Sequence, residues 1–109
     1  MTKRQTYIVG MILNAYRNIC KITQEEFAKK SGISRAVVVR LESFANKPIT
    51  KVNEVQVSNT TLNTLERIAM AMEIKFYQLL EVFERLELIK DDELDATIYL
   101  EVSKIILRK

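Results

Sequence analysis

The sequence contains no histidine and only one cysteine, Cys20, among its 109 residues. Histidine is the most common general base and metal ligand in proteins, so its absence removes most catalytic and metal-binding arrangements. A single cysteine cannot form an internal disulfide, and without histidine it provides neither a zinc site nor a Cys–His nucleophile pair. We therefore predict a protein that is not an enzyme, needs no metal or cofactor and occupies the reducing cytoplasm.

Long apolar segments are also missing. No apolar run approaches the roughly 20 residues that span a bilayer, and no apolar stretch with a small-residue cleavage site follows Lys3 and Arg4. We therefore expect neither a membrane segment nor a secretory signal. Apolar residues make up 48% of the chain, which is typical of a folded protein, and its length suits one domain with one core.

Charge is distributed unevenly along the chain. Residues 1–47 contain nine Lys and Arg against three Glu, whereas residues 48–109 contain eight basic against eleven acidic residues. An excess of positive charge at one end favours a polyanionic partner there. An ordinary solvated surface is the alternative interpretation of the same composition.

Apolar residues recur at helical spacing in five segments. These segments, predicted to be helices, cover residues 5–19, 24–30, 35–43, 61–72 and 76–89 approximately. Thr23 and Glu26 form a T-x-x-E capping box at the start of the second helix. Gly32 can adopt the left-handed conformation that ends this helix, and Ser34 is expected to cap the third.

Two segments fit more than one type of structure. After the third helix, β-prone residues around Asn53-Glu54 fit either a short β-hairpin, at about 48–58, or an irregular loop. In the C-terminal tail, the overall spacing of apolar residues fits a helix. A strand is the alternative, because β-branched residues are frequent there and apolar residues alternate at Ile98, Leu100 and Val102.

The segment from residue 22 to residue 43 has the spacing of a helix-turn-helix. Ala28 is small enough to let the two helices approach closely, and Gly32 makes the tight turn between them. Val38 and Leu41 are expected to hold the second helix against the core. The outward face of that helix is then free to enter a major groove of DNA.

The stretch TQEEFAKKSGISRAVVVRLE (residues 23–42) resembles the helix-turn-helix of Cro/CI-type regulators, also called the XRE family. LNAYRNICKITQ is similar to the first helix of that family, and LNTLERIAMAMEIKFYQLL to its fourth and fifth. The resemblance covers residues 9–80 apart from an extended connection at 45–60. It implies an all-α, five-helix, lambda-repressor-like DNA-binding domain at residues 5–89, followed by a C-terminal extension at 90–109.

The chain departs from the family pattern at two helix ends. Lys21 and Glu73 stand where the family usually has glycine. Glycine at such positions adopts the left-handed backbone conformation, which is strained for other residues. We therefore expect either a strained left-handed cap at each residue or a different helix end.

The resemblance assigns DNA-binding roles position by position. Arginine can bridge O6 and N7 of guanine with two hydrogen bonds, whereas alanine and valine offer only methyl contacts, which suit thymine. The positions that match base-reading residues are Arg35, Ala36, Val37 and Arg40. The positions expected at the DNA backbone are Arg17, Thr23, Gln24, Ser34, Ser43, Asn46, Lys47 and Lys51. Arg17 and Glu42 are expected to form an ion pair that joins the first helix to the recognition helix.

A single module of this size buries too little surface for tight, site-specific binding, so we expect a homodimer on a near-palindromic operator. The dimer contacts are expected at Leu86, Leu88, Ile98, Leu100 and Val102. The leading prediction is a regulator of transcription, either a repressor or a controller of a mobile element, that joins the nucleoid when bound to double-stranded DNA. One alternative is an antitoxin that offers its tail to a toxin protein. Another is a helix-turn-helix adaptor that no longer reads DNA.

Overall fold

The computed structural model describes residues 2–43 and 62–108, which form six α-helices and, within those ranges, no strand. In chain order they are α1 (Lys3–Cys20), α2 (Gln24–Ser31), α3 (Arg35–Ser43), α4 (Leu62–Ala71), α5 (Phe76–Leu86) and α6 (Asp91–Leu107). The prediction of an all-α fold is confirmed. The expected hairpin at about 48–58 lies outside the described residues.

Helix α1 lies at the centre of the packing, because it contacts both α3 and α6. Its buried side chains extend along most of its length and include Ile8, Ile12, Leu13 and Tyr16. Helix α2 packs against α3 and α4, and α5 packs against α4 and α6. One hydrophobic core therefore connects the helix-turn-helix to the C-terminal helix.

The C-terminal tail is a helix because one of its faces completes this core. The buried residues of α6 are Leu94, Ile98, Val102 and Ile105. They are separated by four, four and three residues, which is the spacing of a single helix face. In a strand, Ile98, Leu100 and Val102 would all lie on one face. In the structure Leu100 is exposed, whereas Ile98 and Val102 are buried, so the three residues do not share a face.

Polar contacts from α1 hold the start of α6 in place. Arg4 donates to two carbonyl oxygens, of Leu86 at the end of α5 and of Ile89 in the following turn, and pairs with Asp91. The Tyr7 hydroxyl donates to Asp95 at 2.6 Å. Burial, followed by this hydrogen bond, raises the pKa of Tyr7 above its ordinary value. The N-terminal helix and the C-terminal helix are thus fixed to each other by polar contacts as well as by apolar packing.

The ends of α2 and the start of α3 match the sequence signals. Thr23 accepts a hydrogen bond from the Glu26 backbone N–H, and the Glu26 side chain accepts one from the Thr23 N–H, so the predicted capping box is present. Gly32 ends α2 in the left-handed conformation, with φ 74°. The Ser34 hydroxyl accepts from the Val37 N–H, as expected of a residue that caps α3. Local chemistry therefore sets the turn between the two helices.

Two residues other than glycine adopt the same left-handed conformation. Lys21 has φ 56° at the end of α1, and Glu73 has φ 59° after α4. These are the two positions at which the sequence lacks the expected glycine. A left-handed backbone costs an L-residue about 1–2 kcal/mol, because its Cβ atom crowds a carbonyl oxygen.

We expect Lys21→Gly to stabilise the protein by up to about 1 kcal/mol, because the strain relieved exceeds the entropy that glycine adds to the unfolded chain. Thermal melting followed by circular dichroism measures the change. Lys29→Gly is the matched control, since Lys29 is an exposed lysine with helical backbone in α2. Glycine at Lys29 is expected to destabilise by up to about 1 kcal/mol. A Lys21→Gly protein that melts at or below the wild-type temperature would argue against strain at this helix end.

Candidate nucleic-acid interface

The two sides of α3 differ in burial. Val38 and Leu41 lie in the core and hold the helix against α1 and α2. Solvent reaches all four positions expected to read bases, namely Arg35, Ala36, Val37 and Arg40. The helix therefore has a fixed inner side and an outer side that presents two guanidinium groups and small apolar groups.

The guanidinium groups of Arg35 and Arg40 are available to a partner. Arg35 is exposed and Arg40 is half-buried. Within residues 2–43 and 62–108, no carboxylate forms a salt bridge with either arginine. Because all the hydrogen-bond donors of arginine lie in one planar group, an unpaired arginine can bind a guanine edge or a phosphate with two parallel hydrogen bonds.

The helix starts near this surface suit phosphate groups. Thr23 and Gln24 stand at the beginning of α2, and Ser34 stands before α3, where the backbone N–H groups that the caps do not use can point at an anion. Thr23 and Ser34 are exposed, and Gln24 is half-buried. The Ser43 hydroxyl instead donates to the Arg40 carbonyl at 2.6 Å, so only its oxygen lone pairs remain free. The other expected backbone contacts, Asn46, Lys47 and Lys51, lie outside the described residues.

The predicted ion pair between Arg17 and Glu42 is present beneath α3. Arg17 Nε donates to Glu42 Oε2, and Arg17 Nη2 donates to Glu42 Oε1, both at 2.7 Å. Glu42 is only 3% exposed, and its hydrogen bonds raise the pKa of Arg17 above the ordinary value, although burial opposes this shift. A bidentate pair is directional, so it fixes the recognition helix relative to α1.

All three nitrogens of the Arg17 guanidinium group donate hydrogen bonds within the protein. Its third nitrogen, Nη1, donates to the carbonyl oxygen of Ile22 at 3.0 Å, and its side chain is 16% exposed. A contact between Arg17 and the DNA backbone would therefore have to use the remaining N–H groups. The position of the side chain suits the role of orienting α3.

Asn14 also hydrogen-bonds Glu42, a role that was not predicted from the sequence. Its Nδ2 donates to Glu42 Oε1 at 3.2 Å, so Glu42 receives hydrogen bonds from two residues of α1. Asn14 and Arg17 are three residues apart, which places them on the same side of the helix. That spacing is the signal that could have identified Asn14 once the Arg17–Glu42 pair was expected.

The residues expected at a dimer contact divide into two groups. Three of them are fully buried in the protomer's own core: Leu86, Ile98 and Val102. This finding corrects the expectation for these three, because a core side chain cannot contact a second copy of the folded chain. The other two, Leu88 and Leu100, are 89% and 55% exposed. Leu107, which is 82% exposed, lies seven residues after Leu100 and hence on the same side of α6.

Neither a metal site nor a membrane-spanning helix occurs in the described parts of the chain. Within residues 2–43 and 62–108, no group of three or more metal-binding side chains is arranged to hold an ion. The helices in these ranges are also too short or too polar to cross a bilayer.

A family model described as helix-turn-helix matches residues 13–43. The matched range begins within α1 and ends at the last residue of α3. It includes both partners of the Arg17–Glu42 pair and all four positions expected to read bases. No curated protein and no solved structure matches the chain.

Proposed function

We propose that this protein is a DNA-binding regulator of transcription that binds a near-palindromic operator as a homodimer, because residues 13–43 match a helix-turn-helix family model and resemble the Cro/CI type, or XRE family. The observation that carries the proposal is the outer side of α3, where Arg35 and Arg40 have no carboxylate partner among the described residues. Arginine side chains on a recognition helix can read guanine in the major groove. We further propose that occupancy of the operator represses transcription.

Two copies are proposed because one recognition helix reads only a few base pairs. A single module buries roughly 600–1,000 Å² on DNA, which is at the low end for specific binding. A two-fold dimer places two recognition helices about 34 Å apart, one turn of the duplex. The protomer measures 32 × 28 × 24 Å, so two copies side by side can span that distance.

We place the dimer contact on the exposed leucines of the C-terminal region, at Leu88, Leu100 and Leu107. Leu100 and Leu107 lie on the side of α6 that faces away from the core. Burying such residues between two copies removes apolar surface from water, which is the main driving force for association. In this arrangement residues 5–89 bind DNA, and residues 90–109 together with Leu88 provide the dimer contact.

Replacing Leu100 and Leu107 together with glutamate is expected to convert the dimer into monomers, because four carboxylates would then face one another across the contact. Sedimentation velocity measures the oligomeric state. Fluorescence anisotropy on a selected operator measures affinity, which is expected to fall by at least about tenfold because a monomer occupies only one half-site.

Leu62→Glu is the control for this experiment, since Leu62 is an exposed leucine at the start of α4. It is expected to leave the dimer intact. An unchanged dimer in the Leu100→Glu, Leu107→Glu protein would show that the contact lies elsewhere. A wild-type protein that is monomeric both free and on the operator would refute the homodimer itself.

A further inference from the structure

A line of side-chain hydrogen bonds runs along α1 from α6 to the recognition helix. Asn18 Nδ2 donates to the Tyr99 hydroxyl of α6 at 3.2 Å and to Asn14 Oδ1 at 3.1 Å. Asn14 Nδ2 in turn donates to Glu42 Oε1 at 3.2 Å. Asn14 and Asn18 are four residues apart, so they lie one above the other on the same side of α1. The line therefore connects the C-terminal helix with the carboxylate that holds α3.

Asn14 limits the orientations that the Glu42 carboxylate can adopt. Among the described residues, Glu42 Oε1 accepts from both Asn14 and Arg17, whereas Oε2 accepts from Arg17. Three donors on one buried carboxylate leave it little freedom to rotate. Residues that hydrogen-bond to a binding residue commonly fix the orientation of its side chain. Small changes in that orientation weaken recognition.

Any rotation of α3 is expected to move its base-reading side chains. Glu42 is near the end of α3, two residues after Arg40 and seven residues, about two turns, after Arg35. A helix held at Glu42 and by its buried face keeps both arginines at a fixed angle to the groove. Removal of the support at Glu42 would let the helix sample other angles, and this affects the hydrogen bonds to bases more than the contacts to phosphates.

We propose that Asn14, Asn18 and Tyr99 are positioning residues, which set the orientation of α3 and so the discrimination between the operator and other DNA. The proposal rests on the proposed function, since it concerns how the same DNA-reading helix is held. The proposal also relates dimer formation to base reading. Tyr99 is the neighbour in sequence of Leu100, so the helix on which we place the dimer contact is hydrogen-bonded to the support of the recognition helix.

Tyr99→Phe tests the proposal, because it removes the hydroxyl and keeps the ring. We expect affinity for a selected operator to fall by up to about threefold, which is the most that one hydrogen bond would contribute, with affinity for non-specific DNA unchanged; the melting temperature should fall only slightly, because the lost hydrogen bond is exposed. Tyr77→Phe is the matched control, since Tyr77 is an exposed tyrosine of α5 outside this line. In an Asn18→Ala background, Tyr99→Phe is expected to have no further effect, because the connection is already broken.

A second measurement does not depend on DNA. In the free protein, the backbone amide resonances of α3 are expected to shift in Tyr99→Phe and to stay in place in Tyr77→Phe. Unchanged α3 resonances would overturn the proposal, and so would an equal loss of affinity for operator and non-specific DNA. Failure of the proposed function would look different, because the wild-type protein itself would then prefer no sequence.

Discussion

Glu42→Ala is expected to lower the free energy of unfolding by about 3–5 kcal/mol, the usual cost of leaving a buried charge without its partner. The substitution removes the two carboxylate acceptors of the Arg17 side chain, leaving it only the Ile22 carbonyl oxygen, and also removes the acceptor of Asn14 Nδ2. Because small domains are stable by only about 5–15 kcal/mol, such a decrease would remove a large share of the total stability. Urea unfolding followed by circular dichroism measures it.

Glu101→Ala is the matched control for this result. Glu101 pairs with Arg85 at 2.9 Å, but that arginine is half exposed on α5, so the pair is screened by water. Its removal is expected to cost less than about 1 kcal/mol. Glu42→Gln keeps the shape and one acceptor oxygen, so its stability should lie between those of the wild type and Glu42→Ala. Equal destabilisation in Glu42→Ala and Glu101→Ala would mean that the pair beneath α3 has no special structural role.

Arg35→Ala and Arg40→Ala are each expected to reduce operator affinity by about 5- to 150-fold in each half-site, which corresponds to roughly 1–3 kcal/mol per bidentate arginine–guanine pair. For each substitution, the reduction should be confined to sequences that carry the preferred base at the position that the replaced arginine contacts. Affinity for other sequences should change much less, because these arginines make few base-specific hydrogen bonds there. Fluorescence anisotropy on the operator and on its single-base variants measures both effects.

Gln24→Ala and Lys47→Ala are the matched controls, since these residues are assigned to the DNA backbone. They are expected to weaken binding to every sequence alike, and Lys47→Ala should also reduce the slope of log affinity against log salt by about one for each half-site. If all four substitutions weaken all sequences equally, the assigned division between base reading and backbone contact is incorrect.

The helix-turn-helix could be predicted closely because its signals are local. The capping box at Thr23 and Glu26 sets the start of α2, and Gly32 sets its end, whatever the rest of the chain does. The apolar spacing around Val38 indicated correctly which side of α3 is buried. The resemblance to a family added the Arg17–Glu42 pair, which is present and which spacing alone would not have indicated.

The C-terminal region could not be predicted as well, because its structure depends on distant contacts. The β-branched residues Ile98 and Val102 fit a strand as readily as a helix, and only burial against α1 and α5 decides between them. The same reason explains the error at Leu86. A leucine on an amphipathic helix can face the core or a partner, and sequence spacing does not separate these two positions.

Selection of bound sequences from random duplex DNA tests most directly whether the outer face of α3 reads base pairs. The wild-type protein is expected to enrich a near-palindromic site with a strongly preferred guanine in each half. The Arg35→Ala, Arg40→Ala double variant is expected to lose that preference while it still binds DNA weakly. Enrichment of no site by the wild type, or of the identical site by the double variant, would contradict a reading role for these two arginines.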